Sequence, residues 1–186
     1  MAALLSIILN MANEEALKKY PFLKIYDYQN KEISNACWLD NVPKGWRLLS
    51  ELLVKHLNDE IEKSGLKEYC IVDIKEKYGS LRWYDIGGSE ETFKLTLIYE
   101  QISKNVCVKC GRPNVGIIKH GWIVPLCKKC FSLFRPHENY ENGVDCKNSE
   151  IKKTLCIRRY EGDKKIEEQI DCSPFIKEFL AKYSSL

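Results

Sequence analysis

Four cysteines carry the clearest chemistry in the chain. Cys107-Val-Lys-Cys110 is followed at once by Gly111, and sixteen residues separate Cys110 from a second pair, Cys127-Lys-Lys-Cys130. A Cys-x-x-Cys turn lets two sulfurs converge on one tetrahedral ion, and a glycine directly after it permits the tight backbone. Two such turns complete a four-thiolate shell, so the spacing predicts one structural Zn2+ held by Cys107, Cys110, Cys127 and Cys130. With every position filled by protein, no place remains for water or substrate, which a catalytic zinc requires. The alternative, two buried thiol pairs without metal, leaves both spacings without a reason.

The remaining chemistry-bearing residues are weaker signals. Nine cysteines in 186 residues is a high and odd count, which fits metal binding in a reducing compartment better than a secreted disulfide framework. Cys146, Cys156 and Cys172 with His137 could form a second metal site, although their spacing fits no knuckle. Cys37 and Cys70 read as buried small hydrophobes, and His56, near the apolar side of a helix, as a core or rim histidine. No phosphate loop, Ser/His/Asp order or nucleophile elbow is present.

Charge is unevenly distributed. The formal net charge is +3, with residues 1–104 carrying −2 and residues 105–186 carrying +5. Between Val106 and Arg135 stand six bases (Lys109, Arg112, Lys119, Lys128, Lys129 and Arg135) and no acid. Part of this compensates the formal −2 of four thiolates around Zn2+; the surplus attracts an anionic partner. A second mixed cluster sets Lys75, Lys77 and Arg82 among Tyr78, Trp83 and Tyr84. Cations beside π-faces suit stacking on bases or anchoring a partner. The blander reading is a packed hairpin with aromatics on the core face and solvated charges outside.

The elements that must position these residues follow from periodicity. A short helix over 14–19 ends at Tyr20-Pro21, and 22–28 alternates as a strand. Residues 47–64 form the clearest helix, with Leu49, Leu52, Leu53, Leu57 and Ile61 at helical spacing and Gly65 as its stop. Residues 69–75 and 81–86 read as a hairpin around Lys77-Tyr-Gly-Ser80, with Cys70, Val72 and Ile74 on one face. Trp83 falls with Leu81, leaving Arg82 and Tyr84 on the opposite face. Ser89 caps a helix over 89–104 whose buried side is Phe93, Leu95, Leu97, Ile98 and Ile102. Residues 115–126 read as a hairpin turning at His120-Gly121, then a helix starts at Cys127. Residues 136–147 read as loop. A hairpin around Glu161-Gly-Asp-Lys164 and a helix opened by Ser173-Pro174 complete the chain.

The sum is an α+β fold, helices and β-hairpins with an embedded four-cysteine finger. It is expected as an α+β domain over 1–104, a zinc module over 105–135 and a C-terminal hairpin plus helix over 136–186, packed as one unit. Residues 1–9 are apolar but too short to span a bilayer and lack a basic n-region. Met11 opens a more ordinary start, so 1–10 reads as a marginal extension. The expectation is a cytoplasmic protein with no membrane partner and no evident small-molecule substrate.

Two resemblances attach to these motifs. Knuckle, hairpin and helix N-terminus supplying the second cysteine pair resembles the treble-clef arrangement, with a zinc ribbon as the near alternative. HNH-type nucleases use a similar finger, which would give His120 a catalytic role. Phe131, however, stands where such nucleases commonly carry histidine, and no acidic or histidine partner precedes His120. The second resemblance covers residues 45–130. Gly45-Trp46, Asp73-Ile-Lys-Glu-Lys-Tyr-Gly-Ser-Leu-Arg-Trp-Tyr84, Cys107-x-x-Cys-Gly111 and Gly121-Trp122 before Leu126-Cys127 occur in that order. They resemble a set of small bacterial and bacteriophage-borne proteins with such a hairpin before a zinc finger. That set lends no activity and no catalytic residues. The chain therefore reads as a non-enzymatic, zinc-stabilised binding protein. Its partner is expected to be nucleic acid, through the basic finger and the hairpin, or a protein, as for a phage-borne inhibitor or immunity factor.

Overall fold

The computed structural model describes residues 13–29, 31–118, 121, 123–146 and 149–185. Residues 1–10, Lys119, His120 and Trp122 lie outside that set, and with them the proposed N-terminal extension, the tip of the finger hairpin and the nuclease-like histidine.

The architecture is α+β, with helices packed against small antiparallel sheets. Helix α1 (13–19) ends before Pro21, and a 3-10 turn over Pro21–Leu23 leads into β1 (Lys24–Tyr26). The expected strand over 22–28 is thus shortened, because proline opens a 3-10 turn there. Its partner β2 (Glu32–Cys37) gave no clear sequence signal. Helix α2 (Arg47–Ser64) buries Leu49, Leu52, Leu53, Val54 and Leu57 along one side and stops at Gly65, whose φ of 66° only glycine adopts freely. Each of these leucines contributes about 1.5–3 kcal/mol by leaving water, and Leu53→Ala would cost about 2–5 kcal/mol through the cavity it leaves.

Strands β3 (Cys70–Lys77) and β4 (Ser80–Ile86) form a hairpin closed by Tyr78 and Gly79, both at positive φ (53° and 76°). That pair is the primed turn that matches strand twist. The strict alternation expected for β3 fails at one place. A bulge between Ile71 and Asp73 shifts the register, so Ile71 and Ile74 are buried while Val72 faces solvent. On β4 the expected faces hold: Leu81 is buried and Trp83 packs on the core, while Tyr84 is exposed. Helix α3 (Glu90–Ser103) starts at Ser89, whose hydroxyl accepts from the Thr92 N–H. Its buried stripe is Thr92, Thr96, Ile98, Tyr99 and Ile102, and Phe93, expected inside, is exposed. The stripe is rotated by the α3 contact with α2 on one side and β4 on the other.

The finger follows. Strand β5 (Gly116–Ile118) pairs with β6 (Pro125–Leu126) and, on its other edge, with β7 (Val144–Asp145). Helices α4 (Lys128–Phe134) and α5 (Tyr140–Gly143) lie between β6 and β7. The stretch read as loop after residue 136 therefore returns to extend the finger's sheet, with Phe131 and Tyr140 in edge-to-face contact at 5.4 Å. Two residues of β-structure are too short to leave a period in the sequence. Strands β8 (Thr154–Glu161) and β9 (Lys164–Asp171) form the last hairpin, tied to α3 by Arg159–Glu90 and Lys94–Glu168 at 2.8 and 2.9 Å. Helix α6 (Ser173–Ser184) buries Ile176 and Phe179 against α2. One hydrophobic cluster joins Trp46 and the α2 leucines to Val106, Cys107, Leu126, Cys127 and Phe131. The finger is built into the core. Among the described residues no helix is long and apolar enough to cross a membrane.

Candidate metal centre and the cations around it

The finger begins by anchoring itself to α2. Gly45 donates its N–H to the Val108 carbonyl at 3.0 Å, and the buried Trp46 indole donates to the Val106 carbonyl at 2.8 Å. The contact is so close that a Cβ on Gly45 would sit 2.1 Å from the Cys107 oxygen and 2.7 Å from the Gly111 nitrogen. Glycine is required there on steric grounds alone. Within the knuckle, Gly111 (φ 78°) donates back to the Cys107 carbonyl at 2.9 Å, and Cys107 donates to the Arg112 carbonyl at 2.8 Å. On the other side Val108 donates to the Pro125 carbonyl, drawing β6 and the second cysteine pair against the first.

The result is a four-sulfur cluster. The sulfurs of Cys107, Cys110, Cys127 and Cys130 all lie within 4.8 Å of one another, and Cys110 and Cys127 are 3.6 Å apart. Disulfide sulfurs stand at about 2.05 Å, so these are thiols brought together without bonding, and all four are free. Tetrahedral zinc with bonds of about 2.3 Å separates its sulfurs by about 3.8 Å. The cluster therefore has the dimensions of a four-coordinate thiolate site. Cys107 and Cys127 are buried and Cys110 is exposed, so the cluster has a dry side and a wet one.

Its electrostatics point the same way. Burial pushes the Cys110 and Cys130 thiols above their ordinary range, and the Arg112 N–H facing Cys110 offsets this only in part. Cys127 meets the same desolvation, yet its value falls, because the Cys130 N–H and the neighbouring thiols stabilise its thiolate. One thiolate can exist among four crowded sulfurs; four can coexist only around a cation. The residues present fit a metal.

Some of the sequence-expected cations are engaged within the protein and others are not, and Lys77 of the hairpin, like three lysines of the finger, has no carboxylate partner among the described residues. Lys109, Arg112, Lys128 and Lys129 are all exposed and belong to the turns that carry the cysteines. Arg112 is held by the Tyr183 hydroxyl of α6, while Lys109, Lys128 and Lys129 have no carboxylate partner among the described residues. Arg135 is turned onto Glu138 at 2.8 Å, and Lys119 lies outside the described residues. In the β3–β4 hairpin, by contrast, Arg82 pairs with Glu100 at 2.7 Å and Lys75 with Asp73. Lys75 also lies 5.0 Å over the Tyr84 ring, and Lys77 5.4 Å over Tyr78.

Cys146, Cys156, Cys172 and His137 are not brought together: the four-cysteine cluster is the one metal-competent group among the described residues. Cys172 is instead buried at the entry to α6, and Cys37 is buried as expected. His56 bridges two helices, its Nδ1 2.8 Å from the Tyr99 hydroxyl and its Nε2 2.9 Å from Glu178. What the residue pattern did not reveal is the Gly45–Gly111 approach and the exposure of Phe134 beside the cations. The one available signal was a glycine-tryptophan pair just before a helix. Comparison with known proteins finds no matching family model, no matching curated protein and no matching solved structure.

Proposed function

We propose that the chain is a non-enzymatic binding protein whose finger, closed by one structural zinc, presents a cationic face to nucleic acid. The observation that carries this reading is the contrast in charge pairing. Lys109, Lys128 and Lys129 are exposed beside the cysteine cluster without a carboxylate partner among the described residues, whereas Lys75, Arg82 and Arg135 are engaged within the protein. Unpaired lysines on a rigid support neutralise phosphates with little reorganisation. Zinc is the metal favoured by four thiolates at this spacing, and its role is to hold the two lysine-bearing turns together. Four protein ligands leave no position for a reacting water. Phe131, at the position where HNH-type nucleases carry histidine, is wholly buried against Tyr140, which supports binding over cleavage.

Gly45 and Trp46 are bonded to the first knuckle, and the Gly79 turn lies against Ile123 of the finger, so the hairpin and the finger support one another. Metal analysis of the purified protein is expected to give one equivalent of zinc. Binding of mixed DNA and RNA probes should weaken steeply with salt, and less steeply after neutralising Lys128 and Lys129. Absence of binding at low salt would return these lysines to thiolate compensation and leave a protein partner as the remaining reading.

A further inference from the structure

Beside the lysines runs an apolar groove. It lies between the finger and the turn of the β3–β4 hairpin, with a volume of about 470 Å3. Val108, Val124, Leu126 and Phe134 supply its apolar wall, and Lys44 and Lys109 stand at its rim. A second hollow of about 350 Å3, bounded by Lys77, Tyr78, Gly121 and Ile123, shares Glu76 with it. Glu76, shared by both, is turned toward the hairpin and accepts from the Gly79 N–H at 2.8 Å. Each of the two adjoining hollows carries one exposed aromatic, Phe134 at 52% in the first and Tyr78 at 69% exposure in the second. Neither ring fills the core. Tyr78 is moreover held at φ 53°, a conformation that non-glycine residues seldom take.

The occupant must match two properties at once, flat apolar surface for the groove and negative charge for its rim. Lys44 and Lys109 make no ion pair among the described residues, so the rim is electrostatically open. A duplex offers phosphates but keeps its base faces stacked inside. A single strand offers both, since unpaired bases stack on aromatic side chains while the backbone follows lysines. We infer that this groove is a single-strand subsite, in which bases lie on Phe134 and Tyr78 while Lys44, Lys109, Lys128 and Lys129 meet the phosphates. The inference rests on the nucleic-acid reading and deepens it: the partner is single-stranded, and recognition is of base faces rather than base edges.

The test uses the zinc-loaded full chain and three labelled probes of equal length: a single strand, its duplex, and an abasic strand with the same phosphates and no bases. The single strand should bind best, and the abasic strand at least about thirtyfold more weakly, the loss expected of two stacked bases. Phe134→Ala, and Tyr78→Asn, which keeps a residue tolerant of positive φ, should bring the single strand down toward the abasic level. Both should leave the abasic affinity unchanged. Leu133→Ala, one residue away and 78% exposed, should change neither. Equal binding of abasic and base-bearing strands would overturn the subsite and leave phosphate binding by the finger intact. Failure of every probe at low salt would overturn the nucleic-acid reading and the subsite with it, and would leave the groove to an apolar segment of a protein partner.

Discussion

Two regions of this molecule carry similar cation-and-aromatic sequences and use them differently. In the β3–β4 hairpin, Lys75 and Arg82 have carboxylates within reach, Asp73 two residues away and Glu100 on the helix that packs against β4. Arg82 uses its charge to hold β4 to α3, and Lys75 engages its charge within β3. In the finger, Lys109, Lys128 and Lys129 occupy the turns required by metal geometry, and no acid occurs between Val106 and Arg135 to pair with them. A basic residue signals a partner only when its own fold leaves it unpaired, and that depends on what the neighbouring element brings.

Removing the metal should have the largest effect. Cys127→Ser or chelation is expected to withdraw stabilisation on the order of 10 kcal/mol from the finger. Because Val106, Leu126 and Phe131 are core residues, melting followed by circular dichroism should show loss beyond the finger itself. A chain that keeps its full melting temperature after chelation would separate finger from core. Next, Gly45→Ala places a Cβ against the Cys107 carbonyl and should cost about 3 kcal/mol in chemical denaturation through overpacking.

Neutralising Lys109, Lys128 and Lys129 together to glutamine should flatten the logarithmic salt dependence of single-strand binding by about two, three contacts at about 0.7 each. The same measurement on Arg82→Ala should show no change in slope. A flatter slope for Arg82→Ala, with none for the triple variant, would reverse the assignment of the two regions. Arg82→Ala should instead lower stability by about 1 kcal/mol, since the Glu100 pair is partly sheltered.

The smallest expected effect lies at the C-terminal helix. A hydrogen bond from Lys55 holds the Glu178 carboxyl below its usual range against a modest desolvation, with His56 adding to it. A depressed carboxylate stabilises the fold above its unfolded value, about pH 4.3, and that contribution is lost as pH falls through the folded value. Glu178→Gln should therefore cost about 0.5 kcal/mol at neutral pH, and the difference from wild type should vanish in acid. No difference at neutral pH would assign the α6 docking to packing of Phe175 and Phe179, and a difference that persisted in acid would assign the Glu178 contribution to contacts other than its charge.

Local signals in the sequence were strong where one residue type has one physical use. The α2 leucines with Gly65, the Ser89 cap, the Tyr78-Gly79 turn and the paired Cys-x-x-Cys knuckles each specify their local structure. The signals failed where two elements compete for one residue. Val72 was expected inside and is exposed by a bulge, Phe93 is turned out by the packing of α3, and β7 is too short to show a period yet completes the finger's sheet. The same limit applied to the binding residues. Residue type and spacing named the lysines, but only the positions of Asp73 and Glu100 separated paired from unpaired.

The four metal-competent thiols are legible in the chain alone, because ligand type and the three-residue step between ligands are local facts of the backbone. Everything that depends on distance across the chain is set by the fold. Gly45 is a neighbour of Gly111 because the 3-10 turn Lys44–Trp46 before α2 meets the knuckle there, and Phe134 and Tyr78 line two hollows that share Glu76 because the finger closes on the hairpin turn. Contacts between residues so far apart in sequence come from burying the common core that joins α2 to the finger, and no local pattern records them.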